Sequence, residues 1–371
     1  MYLETLELTN YRNYSGTTFH FSPDINIIVG GNAQGKTNIL EAIYFLSAGN
    51  SHRSGSDNQL VKQGENMASI RSHLDRNGRK LTLEVFLSPA DKKRVKVGGV
   101  EKHKFNDLLG NLHAVIFSPE DLQIIKGGPE RRRAFLDDTI VQLNPTYHYW
   151  RRKYDRVLRQ RNILLKTMTR DVGREGLDLW DRNLAEIGTR IIVERITATE
   201  RLSKYAAEAH KKITKGKEKL EVSYISRVAE GGVEGAAEIE KRFIKELMRR
   251  RKEELDRKVT LVGPHRDDMV MNVDGNDVRL FGSQGQQRTV ALSLKLGQLR
   301  LIEKEVRAKP LLLLDDVMSE LDEDRQNYLM AMVKGNSQVL ITATHLDSFA
   351  GEDLSGHNVI RINNGEIIDA G

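Results

Sequence analysis

The chain has no cysteine among its 371 residues. That excludes disulfides, thiol catalysis and thiolate-bound zinc, and it suits a reducing compartment, so a cytoplasmic protein is expected. No unbroken run of about 18 apolar residues occurs, so neither a membrane-spanning helix nor a membrane partner is expected. The opening residues, Met1 to Thr5, lack the basic and apolar blocks of a secretory signal and read as a first strand. Internal repeats, low-complexity tracts and flexible linkers are also missing. What is present, 39% hydrophobic and 30% charged residues, supports a sizeable core. It can be arranged as two or three domains, or as one large α/β domain carrying an inserted lobe.

Acid is scarce in parts of the middle third. Residues 150–170 hold eight Lys or Arg against Asp155 alone, and residues 201–220 hold seven basic residues against two acids, in a chain whose net charge is only +6. A third basic cluster, Arg249–Lys252, ends a helical pattern. Segments 68–74 and 81–87 alternate with period two and read as antiparallel strands, and 94–100 reads as a hairpin with a two-glycine turn. From about 129 to 216, and again from 236 to 258, the pattern is helical. Between and after them, 220–225 reads as a strand, 259–264 as a strand and turn, and 269–280 as a hairpin. Segments 310–315 and 338–343 read as buried parallel strands.

The most specific motif is Gly30-Gly31-Asn32-Ala33-Gln34-Gly35-Lys36-Thr37, which fits G-x-x-x-x-G-K-[ST] between a buried strand (25–29) and a helix (38–46). Glycines let the backbone curl so that successive N–H groups face a phosphate chain, aided by the helix N-terminus. Lys36 would reach the β- and γ-phosphates of a nucleotide such as ATP, and Thr37 would place its hydroxyl on Mg²⁺. Four leucines then run into Asp315 and Asp316. A buried strand ending in acid points to a cation at its carboxyl edge, with Asp315 on the Mg²⁺ and Asp316 polarising the attacking water. Ser283-Gln284-Gly285-Gln286 opens a long helix and reads as a second anion site, which makes sense if it closes on a nucleotide held by another copy. Beyond Ser319–Asp322, a strand ends at His345, placed to hydrogen-bond a γ-phosphate.

This order of motifs resembles the ABC-type ATPase heads, in which two subunits sandwich two ATP molecules. There each G-S-x-G-Q turn contacts the γ-phosphate bound to the partner. The segment Leu8–Tyr14 and the residues around Asn32 and Asn38–Ile43 look like the chromosome-maintenance ATPases. Pro119–Asp137, Leu177–Asp181, Gly263–Asp268 and Ser319–Asp322 are similar to the signatures of the RecF family of bacterial recombination proteins, and the likeness spans nearly the whole chain. It implies an α/β fold with a phosphate-loop mixed sheet, an antiparallel β subdomain and an inserted, mostly helical lobe. The head is expected from residues 1–128 and 259–371, and the lobe from 129–258. The resemblance brings Arg12, Asn13, Ser283, Gly285 and Gln286 to the nucleotide. It also puts Glu120 where the wider class carries a γ-phosphate-sensing Gln. That wider class has Glu where this chain has Asp316, as RecF proteins do, so slow hydrolysis is expected. The implied partners are double-stranded DNA at gaps, RecR, RecO and RecA, and a second copy joined by ATP. The basic lobe fits this: Arg151, Arg152, Lys153, Arg156 and Arg159 are expected to grip phosphates without reading sequence. A transporter ATPase would not need that lobe, and a long-armed chromosome protein would need a far longer insertion. A binding switch with negligible turnover stays open.

Overall fold

The computed structural model describes residues 1–76, 78–167, 174–229, 235–317, 325–326, 328–329, 338–346 and 356–370. The Ser319–Asp322 motif and Arg170 lie outside the described residues. Contacts divide the chain into two compact units, Met1–Asp121 with Gln298–Gly371, and Leu122–Gly297.

The first unit holds two sheets. One is antiparallel, in the order β2 (Tyr14–His20), β1 (Tyr2–Tyr11), β4 (Ala68–Arg76), β5 (Arg79–Leu87), β6 (Arg94–Val97), β7 (Val100–Lys102). Along β4 buried and more exposed residues alternate, as a strand with one solvated face requires. The other sheet runs β15 (Glu366–Ala370), β14 (Asn358–Asn363), β3 (Ile25–Val29), β13 (Val339–Ala343), β12 (Leu311–Asp315), β8 (Ala114–Phe117). Every neighbouring pair in it is parallel except β14 with β15. Its strands β8, β12 and β13 are buried throughout, which is why they read as unbroken apolar runs. Helix α1 (Lys36–Ala48) packs on them and buries Ile39, Leu40, Ile43 and Phe45 in one cluster with Leu6, Leu8, Ile70, Val85, Leu313 and Leu340.

The second unit is mostly helical: α2 (Leu122–Lys126), α3 (Pro129–Leu143), α4 (Pro145–Thr167), α5 (Arg174–Ile213), α6 (Ala236–Arg257) and α7 (Val278–Phe281). A small antiparallel sheet joins β9 (Leu220–Ile225), β10 (Asp268–Val273) and β11 (Asn276–Asp277). Helix α4 buries Tyr147, Tyr154, Val157, Arg161 and Leu165, a stripe at helical spacing. Among the described residues no helix is long and apolar enough to cross a membrane.

Two expectations meet a different structure. Residues 259–264 are not a strand, because side chains satisfy their backbone. Asn162 accepts from the Thr260 N–H (2.8 Å), Glu254 accepts from the Leu261 N–H (2.7 Å), and Arg266 donates to the Thr260 carbonyl (3.1 Å). The contact boundary also falls elsewhere than at 128/129 and 258/259. Pairing of β9 with β10 gathers residues 259–297 with the lobe, and the boundary falls inside α8 (Gln284–Val306).

Candidate functional site

The phosphate loop leaves β3 at Gly30 and turns through Ala33 (φ 63°) and Gly35 (φ 111°) into α1. Two glycines are dictated by close approach. A Cβ on Gly30 would lie 2.5 Å from the Ile362 carbonyl oxygen on β14, and one on Gly35 would lie 2.6 Å from both the Asn13 amide and the Tyr14 hydroxyl. The Lys36 ammonium folds along the loop and donates to the carbonyls of Gly30 (2.8 Å) and Gly31 (3.0 Å). The first-turn N–H groups of α1 have no acceptor within the helix. Cation, helix end and curled backbone together make an anion cradle.

The cradle is held from outside. Asn13 donates to the Gln34 carbonyl (3.0 Å) and accepts from Asn38 (2.8 Å), while the Tyr14 hydroxyl donates to the Gly35 carbonyl (3.0 Å). Gln34 also accepts from the N–H groups of Asn364 (2.5 Å, at its side chain) and Gly365 (3.2 Å, at its carbonyl). Both ends of the Asn13 amide thus engage the loop and the helix behind it. Arg12 is committed as well: its guanidinium donates to both oxygens of Glu41 (2.8 and 2.6 Å), to the Gln59 carbonyl (2.9 Å) and to Ser54. Burial works against the Glu41 charge, but bonds from Arg12 and Ser51 and the Arg12 charge hold its pKa below the usual value.

Strands β3, β13 and β12 run parallel with Val29 opposite Ala343 and Thr342 opposite Asp315, so their carboxyl ends share one edge. There the Thr37 hydroxyl donates to Asp315 Oδ1 (2.9 Å), and so does the Thr342 hydroxyl (2.9 Å), which in turn accepts from the Asp316 N–H (2.9 Å). Asp315 is only 5% exposed. Burial raises its pKa, the two hydroxyls oppose that, and the charges of Asp316 and Glu120 push it up further. An acid so placed is relieved by a divalent cation. No group of three or more His, Asp or Glu among the described residues could hold a metal alone. Asp316 sits in a left-handed conformation (φ 49°), Glu120 is exposed just past β8, and His345 is exposed two residues past β13.

In the other unit, Ser283 and Gln286 bond reciprocally at the start of α8. The Ser283 N–H donates to Gln286 Oε1 (2.9 Å) and the Gln286 N–H to the Ser283 hydroxyl (3.2 Å). This is a capping box, and it leaves Ser283, Gln284 and Gly285 exposed beside Phe281, itself 74% exposed.

The basic clusters separate sharply. On α4, Arg152, Lys153, Arg156 and Arg159 are exposed, and no ion pair to an acid is found for them among the described residues. Lys153 lies over the Trp150 ring. Arg151 instead pairs with Asp137 and Asp155, and Arg161 is fully buried against Asp181 and Glu254 (2.7 Å each). The cluster on α6 is answered locally by Glu246, Glu253, Asp178 and Asp181. Tyr14, Thr342, Glu41 and the Asn364–Gly365 turn are the parts of the site that motif reading misses. Tyr14, Glu41 and Thr342 stand inside segments that the motifs mark, but nothing in the sequence signals the contacts they make.

A phosphate cradle and an acidic strand edge on a mixed sheet, with an antiparallel sheet in the same unit and a helical unit inserted into the chain, give the fold of an ATPase head of the SMC/ABC class. The profile of the RecF/RecN/SMC N-terminal domain matches residues 2–364. The chain is 43% identical to the DNA replication and repair protein RecF of Symbiobacterium thermophilum, over 99% of this chain and 98% of that one. It is 38% identical to RecF of Bacillus subtilis, over 99% and 100%. It is also similar to the solved recombination mediator protein RecF, in its RecF-ATP form in the RecFOR pathway, with TM-score 0.91, 36% identity and coverage of 100% and 97%. An Smc head bound to the C-terminal winged-helix domain of ScpA shares the fold alone (TM-score 0.52, 15% identity). The chain belongs to the RecF family.

Proposed function

We propose that this protein is an ATP-dependent DNA-binding repair factor whose slow hydrolysis of ATP acts as a switch. The Thr37–Asp315 hydrogen bond carries the reading. It joins the phosphate loop to the acidic strand end, and the two residues it links would hold Mg²⁺, which would offset the charge of a nucleotide's phosphates. Gly30 to Thr37 cradle ATP, Lys36 reaches its terminal phosphates, and Thr37 and Asp315 hold Mg²⁺. Asp316 polarises water, while His345 and Glu120 stand at the γ-phosphate side. Arg12 and Asn13 act by fixing the loop. Two copies close head to head, each Ser283 turn meeting the other's nucleotide, and hydrolysis releases them.

The exposed stripe Arg152, Arg156 and Arg159 takes the phosphates of double-stranded DNA. Its i, i+4, i+7 spacing sets cations roughly 5–6 Å apart along the helix, a spacing suited to a phosphate backbone. Arg151, tied to Asp137, supports the stripe more than it extends it. The names of the relatives support a place in DNA repair, and the RecFOR pathway named with one of them supports RecR and RecO as partners; RecA downstream and a place in the cytoplasm follow from the family resemblance.

Fluorescence anisotropy of a labelled duplex, with and without ATP-Mg²⁺ across a salt series, tests the proposal. ATP-dependent binding with a steep salt slope is the expected result. Equal weak binding in both states would sink the claim that ATP gates DNA contact.

A further inference from the structure

Helix α5 ends in a lysine-rich turn, Lys211 to Lys219, that the proposal above does not use. Lys211, Lys212, Lys217 and Lys219 are exposed. The turn is ordered by its own backbone, the Gly216 N–H donating to the Lys211 carbonyl (2.7 Å), and by the β10–β11 hairpin, where Asp274 and Lys219 bond in both directions (2.9 and 3.0 Å). One acid, Glu218, stands among these lysines and faces inward. One of its oxygens accepts from Gln286 Nε2 (3.0 Å), and the other meets His210 Nε2 (3.1 Å). His210 is buried, with Nδ1 on the Ser293 hydroxyl of α8 (3.2 Å), and burial lowers its pKa against the pull of Glu218. The Glu218 carboxylate is thus held between the His210 ring and the Gln286 amide.

The Gln286 amide is the hinge of this arrangement. Its oxygen takes the Ser283 N–H and its nitrogen holds Glu218, so the carboxylate and the Ser283 turn are two bonds apart through one side chain. We propose that the Lys211–Lys219 turn is a second contact site for nucleic-acid phosphates, and that Glu218 is the positioning residue through which phosphate bound there acts on the Ser283 turn. A phosphate drawn in by the lysines repels the neighbouring carboxylate, and Gln286 must follow it. The effect is reciprocal: if DNA shifts the turn toward its γ-phosphate-binding form, ATP engagement raises DNA affinity by the same factor. This rests on the proposed DNA binding and on Ser283 meeting the partner's nucleotide.

Three variants of the full chain test it, each read by duplex anisotropy with and without ATP-Mg²⁺, ATP-dependent dimerisation by light scattering, and hydrolysis with and without DNA. Lys211→Ala/Lys212→Ala/Lys217→Ala should lower the salt slope by about 2–3. Glu218→Ala should bind duplex without ATP at least as tightly as the parent, yet lose at least about 5-fold of the ATP effect on that affinity. Glu218→Gln keeps an acceptor for Gln286 and lacks the charge. It should dimerise with ATP like the parent while DNA no longer alters its hydrolysis, a split that a purely structural role would not produce. An unchanged salt slope in the lysine variant, or a parental DNA response in Glu218→Gln, would overturn the inference alone. A parent protein that does not bind duplex would overturn it together with the proposed function.

Discussion

The phosphate loop and the polar core of the helical unit use the same residue types to opposite ends. At the loop, Lys36 rests on two carbonyls while the first-turn N–H groups of α1 have no acceptor within the helix, so the region is built to take an anion. In the helical unit the strong donors and acceptors answer one another. Arg195 donates to both oxygens of Asp137 (2.8 and 2.9 Å) and to the Pro264 carbonyl (2.6 Å). Arg132 pairs with Asp268 (2.7 and 2.9 Å), and the Tyr224 hydroxyl donates to Asp267 (2.7 Å). Pro264, Asp267 and Asp268 of the Gly263–Asp268 motif thus tie α3, α5 and β9 together. Charge marks a binding site only where partners within the fold are missing; where they are complete it marks architecture.

That contrast predicts where substitutions bite. Arg161→Ala should be the most damaging, costing about 3–5 kcal/mol, because it leaves Glu254 without its cation in the core and Asp181 with Arg251 alone. Urea denaturation would read this, and a loss under about 1 kcal/mol would break the comparison. Lys36→Ala should leave folding stability nearly unchanged and weaken ATP binding at least about 100-fold, roughly 3 kcal/mol, by calorimetry.

Asp267→Asn sharpens the comparison through pH. Burial raises the Asp267 pKa from 3.8 to about 6. A carboxyl whose folded pKa lies above its unfolded value stabilises the fold most when protonated, so its contribution is present at low pH and is lost as pH rises through about 6. The stability of the parent relative to Asp267→Asn should therefore grow, by on the order of 2–3 kcal/mol, as pH falls from 7 to 4. His265, whose pKa burial lowers from 6.5 to about 4, acts with the opposite sign over the same window in both proteins and cancels from the difference. A flat difference between pH 7 and 4 would count against an Asp267 whose burial outweighs the Tyr224 bond and the nearby arginine charges. The smallest effect belongs to Arg156→Ala: no change in stability, and a salt slope for duplex binding lower by about 0.9. A parental slope would remove Arg156 from the DNA-facing set.

The sequence carried the local parts of the fold and site. The phosphate loop and the acidic strand end are contiguous stretches whose residue types follow directly from their chemistry, and the structure places them at one edge of one sheet, after β3 and β12 with β13 between. What escaped was decided by distant partners. Arg161 reads as one more surface cation until Asp181 and Glu254 arrive from two other helices. Residues 259–264 have the apolar look of a strand, but Asn162 and Glu254 take the N–H groups that a neighbouring strand would have claimed. Ser283 was legible as a helix start and as an anion site at once, because a capping box and an exposed turn are the same residues.

The loop's supports come from both ends of the chain, and that bears on how the protein is made. Asn13 and Tyr14 leave the ribosome before the phosphate loop, but β13, which pairs with β3, and the Asn364–Gly365 turn, which holds Gln34, are synthesised more than 300 residues later. Until then β3 lacks both of its sheet neighbours and Gly30 has no strand to lie against. A nascent chain carries the phosphate-loop motif from early on, but the loop gains its sheet neighbours and its Gln34 support only once residues 339–365 have been made, so shorter chains carry the motif without the framework that holds it.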